Sequence, residues 1–134
     1  MNKFVLDCSV TMGWCFREES DSYVAKILYS FEDAEAVVPF LWCYEVCNVL
    51  TLAERKKRIS TTEATRFLSI ITELPIIIDE KSDVMKDILV LARHHEISAY
   101  DAAYLELALR LGLPLATLDR GLTAVLEKTG IKKY

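Results

Sequence analysis

The segment Lys3-Phe4-Val5-Leu6-Asp7 predicts a short apolar strand, Lys3–Leu6, that ends directly at a carboxylate. The segment Leu115-Ala116-Thr117-Leu118-Asp119, near the other end of the chain, has the same form. In an open parallel sheet the functional site lies beyond the carboxyl ends of the strands. The two segments therefore predict that Asp7 and Asp119 lie along one edge of a parallel sheet.

The rest of the chain alternates short apolar strands with helices. Further strands are predicted at Ala36–Val38, at Pro75–Ile78 and, as an edge strand, at Ile131–Tyr134. The apolar composition of Pro75–Ile78 predicts that this strand is buried on both faces. The helices follow from apolar spacing, helix-capping residues and terminal glycines; they are predicted at Val10–Phe16, Asp21–Phe31, Leu41–Arg58, a segment that opens at Ser60, Asp83–His95, Ser98–Leu111 and Gly121–Lys128. The alternation predicts an α/β fold with a parallel sheet and helices on both faces.

Length and composition limit the class of protein. The 134 residues fit one domain, 1–134, and 52% hydrophobic with 27% charged residues argue against disorder. The longest apolar stretch, Val37–Tyr44, is far shorter than the roughly 20 residues that a membrane span needs. Because Asp7 interrupts the N-terminus too early for a signal peptide, we expect a cytoplasmic protein.

The cysteines and the net charge also bear on function. Cys8, Cys15, Cys43 and Cys47 match no zinc or redox spacing, so we interpret them as small buried apolar residues in a reducing compartment. The net charge of −4 argues against tight autonomous binding of nucleic acid. It does not exclude an enzyme that contacts nucleic acid only briefly.

Two more acidic residues stand in apolar surroundings. Glu45 lies within Leu41–Cys47, and Asp101 lies within Ser98–Leu105. Asp7 and Asp119 could each cap the following helix, and Ser98 with Asp101 fits a capping box. Glu45 is harder to explain structurally, because Leu41 and Val49, which share its helix face, are apolar and predict that this face is buried.

A joint explanation treats the four carboxylates as one site. Two unit charges at 4 Å repel by about 4 kcal/mol at an effective dielectric near 20, so a close cluster of four would cost on the order of 10 kcal/mol. A divalent cation would relieve this repulsion, and oxygen-only ligands favour Mg²⁺ or Mn²⁺. A bound metal with a further carboxylate as proton acceptor suits phosphodiester hydrolysis.

Four stretches of the sequence carry a family resemblance, and they span nearly the whole chain. They are Phe4-Val5-Leu6-Asp7-Cys8-Ser9-Val10, the run from Val38 to Leu50, the run from Ser98 to Ala108, and Leu115-Ala116-Thr117-Leu118-Asp119-Arg120-Gly121-Leu122. In these motifs and their order the chain resembles the PIN-domain family, most closely the VapC-type toxin ribonucleases. The resemblance implies a PIN-like three-layer fold with a twisted parallel sheet of about five strands.

The resemblance also implies a Mg²⁺- or Mn²⁺-dependent endoribonuclease and assigns roles by position. Asp7 and Asp101 would be the main metal ligands, and Glu45 and Asp119 would complete the catalytic metal site, through water or a second metal. The supporting polar positions are Ser9, Asn48 and Thr117. Arg120, beside Asp119, is the best candidate among the cationic residues for a contact with RNA phosphate.

The family further implies partners. They are an RNA substrate, a second copy of the chain in a homodimer, and a small antitoxin protein that places a basic side chain near the carboxylates. No membrane partner is implied.

Two rival functions fit part of the sequence. A haloacid-dehalogenase-like phosphatase also starts from an aspartate at a strand end, but it needs a second carboxylate where Ser9 stands, and it leaves Glu45 unexplained. A non-catalytic PIN-like binding module would keep the fold without the chemistry. Mg²⁺ titration separates the second rival from an enzyme, because a scaffold without a metal site gains no thermal stability from the ion.

Overall fold

The structure is a computed structural model that describes residues 2–16 and 22–134. The strands are β1 (Asn2–Leu6), β2 (Ala34–Pro39), β3 (Ile76–Asp79) and β4 (Leu115–Ala116). The helices are α1 (Cys8–Cys15), α2 (Ser22–Ser30), α3 (Leu41–Arg55), α4 (Thr61–Glu73), α5 (Met85–His95), α6 (Ala99–Leu111) and α7 (Arg120–Thr129). The predicted alternation of strands and helices is confirmed, and the predicted start of the second helix at Asp21 lies outside the described residues.

The four strands form one parallel sheet, flanked by helices, in the order β3-β2-β1-β4. The sequence predicted about five strands, and the sheet has four within the described residues. The predicted edge strand Ile131–Tyr134 makes only an isolated parallel bridge, in which Lys133 pairs with Leu115. Because β4 has only two residues, it offers too short an edge for the C-terminal segment to extend into a ladder.

The core lies around β1 and helix α6. Phe4, Val5 and Leu6 of β1 are fully buried, and α6 packs against both β1 and β2. All seven residues from Ala102 to Ala108 are buried. The small side chains of α6 (Ala102, Ala103 and Ala108) let this helix approach the sheet closely, which places the first turn of α6 near the end of β1.

Strand β3 corrects a second prediction. Its apolar composition predicted burial on both faces, but Ile77 and Ile78 are 39% and 40% exposed. The reason is topological, because β3 is an edge strand with only β2 as a neighbour. Apolar composition alone does not distinguish a central strand of a sheet from an edge strand.

The predicted helix ends are largely confirmed. Ser60 and Glu63 form a reciprocal capping box at the start of α4, and Gly112 and Gly130 end α6 and α7 with φ of 65° and 76°. Helix α3 ends at Arg55, before the predicted Arg58, and Lys57 has a left-handed φ of 57°. Within the described ranges no helix is both long and apolar enough to cross a membrane.

Candidate functional site

The site lies where the neighbouring strands β1 and β4 end. Asp7 follows β1 directly, and its backbone N–H donates to the carbonyl of Ala116 at 3.0 Å. Strands β2 and β3 extend the sheet on one side of β1, whereas β4 adds to the other side. Ligands of parallel sheets bind at such a change of direction, so the structure brings Asp7 together with the segment after β4, as the sequence predicted.

Asp7 is the central carboxylate, and only 6% of it is exposed. Its Oδ2 accepts a hydrogen bond from Ser9 Oγ at 2.6 Å and another from Thr117 Oγ1 at 2.7 Å. Although Asp7 precedes α1, its side chain makes no capping hydrogen bond. The capping alternative is therefore wrong for this residue, and Oδ1 takes part in neither hydroxyl bond.

Backbone amides fix the direction of these two hydroxyl bonds. The N–H of Leu118 donates to Ser9 Oγ at 2.9 Å, and the N–H of Asp119 donates to Thr117 Oγ1 at 3.0 Å. Because an amide N–H can only donate, each hydroxyl accepts there and directs its own hydrogen to Asp7. The loop after β4 thereby orients the carboxylate at the end of β1.

Glu45 is held by a residue that the sequence did not identify. The hydroxyl of Tyr104, which is fully buried on α6, donates to Glu45 Oε1 at 2.5 Å. Burial, then the hydrogen bond and charge of Glu45, raise the pKa of Tyr104, so this hydroxyl keeps its proton and remains a donor. A signal was available in the sequence, since Tyr104 stands three residues after Asp101 and so shares its helix face.

The remaining two carboxylates begin helices. Asp119 Oδ1 accepts a hydrogen bond from the N–H of Leu122 at 2.8 Å, so the capping interpretation holds for Asp119. Ser98 Oγ accepts from the N–H of Asp101 at 3.0 Å at the start of α6. The capping hydrogen bonds therefore hold the side chain of Asp119 and the backbone of Asp101 in place. These hydrogen bonds do not neutralise the charge of either carboxylate.

Burial and mutual repulsion raise the pKa of three of the four carboxyl groups. Five of the six possible pairs repel, namely Asp7 with each of the other three, Glu45 with Asp101, and Asp101 with Asp119. For Glu45, burial raises the pKa, the Tyr104 bond lowers it, and the charges of Asp7 and Asp101 raise it. For Asp101, burial is again the largest cause, followed by Asp119 and Asp7.

For Asp7, two side-chain hydrogen bonds oppose the effects of burial and charge on the pKa. Burial raises the pKa of its carboxyl, and the charge of Asp119 raises it further. The hydrogen bonds from Ser9 and Thr117 lower the pKa, yet the net direction is upward. The hydroxyls thus offset only part of the cost of burying this charge.

The donor atoms of these side chains are of the type that binds a hard divalent cation, but the side chains do not form a complete coordination shell. The donors are carboxylate and hydroxyl oxygens, which Mg²⁺ and Mn²⁺ prefer, and the shared repulsion would be relieved by positive charge. Within residues 2–16 and 22–134, no three His, Cys, Asp or Glu side chains lie close enough together to hold a metal ion. An ion there would be bound through one or two carboxylates and several waters, which is the usual arrangement for Mg²⁺.

The other predicted residues lie at the margin of the site. Asn48 is exposed on α3 and lines the same groove as Glu45. Arg120 is exposed at the first residue of α7, next to Asp119. Cys8 is buried, as interpreted from the sequence, and burial with the nearby Glu45 and Asp7 raises the pKa of its thiol. Cys47 is exposed, which corrects the expectation that the cysteines are buried.

Similar solved structures share this architecture. A crystal structure of a protein from Pyrobaculum aerophilum aligns with a TM-score of 0.73 at 22% identity, over 92% of this chain and 84% of that one. VapBC2 from Rickettsia felis, bound to a DNA fragment from its promoter, aligns with a TM-score of 0.71 at 12% identity, over 98% and 97% of the two chains. FitAcB from Neisseria gonorrhoeae gives a TM-score of 0.66 at 16% identity, over 98% and 96%. At these identities the likeness shows the fold.

Sequence comparison is more specific. Ribonuclease VapC3 from Pyrobaculum aerophilum is 30% identical to this chain over 122 residues, which are 90% of this chain and 92% of that protein. The profile of the PIN domain family matches residues 4–128, a range that contains all four acidic positions. On this evidence the chain belongs to the PIN domain family.

Proposed function

We propose that this protein is a Mg²⁺- or Mn²⁺-dependent endoribonuclease and the toxin of a toxin–antitoxin pair. The observation that carries the proposal is the set of mutually repelling carboxylates, Asp7, Glu45, Asp101 and Asp119, at the carboxyl ends of β1 and β4. The relative named Ribonuclease VapC3 supports the choice of RNA as substrate. The likeness to VapBC2 supports a partner protein.

The protein's own residues divide the chemistry between them. Asp7 and Asp101 would hold a divalent cation, and the hydrogen bonds from Ser9 and Thr117 orient Asp7 for this task. When bound, such a cation would neutralise charge on the phosphate and lower the pKa of a water molecule. Glu45 accepts the proton of the attacking water at Oε2, because Tyr104 occupies Oε1.

The same charges account for the proposed protein partner. Within the described ranges, none of the ion pairs involves Asp7, Glu45, Asp101 or Asp119. A basic side chain of a small antitoxin would supply the missing positive charge and block the metal site. We further propose a homodimer, as the family resemblance implies.

The test is cleavage of RNA by purified variants in Mn²⁺. We expect Asp7→Asn and Asp101→Asn to lose cleavage by a factor of a hundred or more, because each change removes a charge that binds the cation and leaves the shape unchanged. Asp87→Asn on α5 is the matched control, since Asp87 is exposed and outside the site. Full activity in either folded site variant would contradict the proposal.

Metal binding and toxicity are tested separately. A rise in melting temperature with Mn²⁺ in the wild type, but not in Asp7→Asn, would support a metal site over a non-catalytic scaffold. Expression of the active protein should slow cell growth, and coexpression of a small neighbouring gene product should relieve this effect. Normal growth with a verified active enzyme would remove the toxin assignment and leave the nuclease assignment intact.

A further inference from the structure

An aromatic-walled groove extends from Glu45 across the start of α3 and α6. It has a volume of about 580 Å³ and is lined by Leu41, Tyr44, Glu45, Cys47, Asn48, Thr51 and Tyr100. Tyr44 is 67% exposed and Tyr100 is 63% exposed. Each tyrosine precedes a site carboxylate, since Tyr44 is next to Glu45 and Tyr100 is next to Asp101. The two tyrosine rings therefore lie at the edge of the carboxylate site, next to two of its acidic residues.

The groove cannot attract a polyanion by charge. Among the residues that the structure describes, its lining contains Glu45 and no Lys or Arg, and the full sequence has a net charge of −4. Phosphate neutralisation by cationic side chains is the usual source of affinity for nucleic acid. Stacking of bases on aromatic rings is the other general source, and it needs no positive charge.

We propose that Tyr44 and Tyr100 form a stacking platform for bases of single-stranded RNA beside the reacting phosphate. The proposal rests on the proposed function and specifies its substrate class. A base stacks fully on such rings when it has left its own helical stack, so we expect single-stranded RNA to bind here in preference to duplex RNA. Phe40, whose ring lies 5.6 Å from that of Tyr44 at an angle of 58°, supports one side of the platform.

The test measures binding of a single-stranded oligoribonucleotide in EDTA, where no metal-dependent cleavage competes, and then steady-state cleavage in Mn²⁺. Loss of one stacking ring costs roughly 5- to 100-fold in affinity per base. We expect Tyr44→Ala and Tyr100→Ala each to weaken binding by such a factor and to raise KM with little change in kcat. Tyr44→Phe and Tyr100→Phe should bind like the wild type, because they keep the ring.

Tyr29→Ala is the matched control, since Tyr29 is 74% exposed on α2 outside the groove. The slope of log affinity against log salt should be the same in wild type and alanine variants, because stacking releases no counterions. The same RNA annealed into a duplex should bind weakly and equally to all variants.

Several results would overturn the proposal. Equal oligonucleotide affinity in wild type and both alanine variants would do so. So would loss of a dimer in Tyr44→Ala or Tyr100→Ala with RNA affinity retained, which would assign the groove to contacts between copies. Tyrosine-dependent competition by a basic peptide, but not by RNA, would assign it to a protein partner.

The outcomes separate this inference from the proposed function. Cleavage with unchanged KM in the alanine variants would remove the platform and leave the nuclease intact. Tyrosine-dependent RNA binding without any cleavage would support the platform and contradict the nuclease.

Discussion

Replacing Asp7 with Asn should make the metal-free protein more stable while it abolishes activity. Asp7 is 6% exposed, and its pKa is raised by burial despite two hydroxyl donors. An asparagine oxygen can accept both of those hydrogen bonds, so Asp7→Asn removes the charge without removing the partners. Ser9 and Thr117 then keep their positions, and the desolvation cost disappears.

The size of the gain follows from the pKa of Asp7. Each unit by which the folded protein raises the pKa of a carboxyl group costs the ionised form about 1.4 kcal/mol. We therefore expect the variant to have a higher free energy of unfolding and a higher melting temperature than the wild type at pH 8, with the size set by the measured pKa of Asp7. Since the folded protein binds more protons than the unfolded chain between the two pKa values, wild-type stability falls as pH rises through that window.

The assay is chemical and thermal denaturation of wild type and Asp7→Asn in EDTA between about pH 3 and pH 8. The difference should become small near pH 3, below the ordinary aspartate pKa of about 3.9, where the carboxyl is largely protonated in both states, and it should reach its full size above the raised pKa. Asp79→Asn is a contrasting control. Its carboxylate pairs with Arg110 at 2.6 Å, so we expect destabilisation there. A variant Asp7→Asn that is less stable than wild type at every pH would refute the reasoning.

Two further predictions concern packing and orientation. Tyr104→Phe removes the hydroxyl that holds Glu45 and should slow RNA cleavage in Mn²⁺ about 10- to 100-fold, as loss of a supporting hydrogen bond at a metal site typically does. A cleavage assay should show this change and give Tyr23→Phe the activity of the wild type. Gly13→Ala should cost roughly 1–3 kcal/mol of stability, because an added Cβ would lie 2.9 Å from Val24 Cγ1. Equal denaturation midpoints for Gly13→Ala and wild type would show that α1 and α2 adjust freely.

The sequence specified the order of elements better than the extent of the sheet. Local signals such as the Ser60–Glu63 capping box and the terminal glycines Gly112 and Gly130 involve residues that are close in sequence. They can therefore be recognised before the fold is known. The exposure of Ile77 and the single bridge at Lys133 depend on which strands are neighbours. Neighbour relations in a parallel sheet are set by tertiary packing, and apolar composition does not encode them.

The sequence predicted which acidic residues form the site, but it did not predict how their side chains are arranged. Strand ends placed Asp7 and Asp119, and an acid in apolar surroundings marked Glu45. The pairing of Tyr104 with Glu45 joins residues 59 positions apart, so no local pattern reveals it. Capping remained an open alternative for Asp7 and Asp119 in the sequence, and only the coordinates distinguish Asp119, which caps a helix, from Asp7, which does not.

The protein provides hydrogen bonds to its buried and half-buried acids in two different ways, and the contrast explains the site. Arg110 binds Asp79 and Glu106 together and neutralises both. Within residues 2–16 and 22–134, the side chains that donate hydrogen bonds to Asp7 and Glu45 are neutral hydroxyls, which fix the carboxylates and leave their charge in place. An arginine at the site would remove the repulsion but would also occupy the oxygens. Because the described part of the fold orients these carboxylates without a counter-charge, a cation, a cationic partner or protons can compete for the same oxygens.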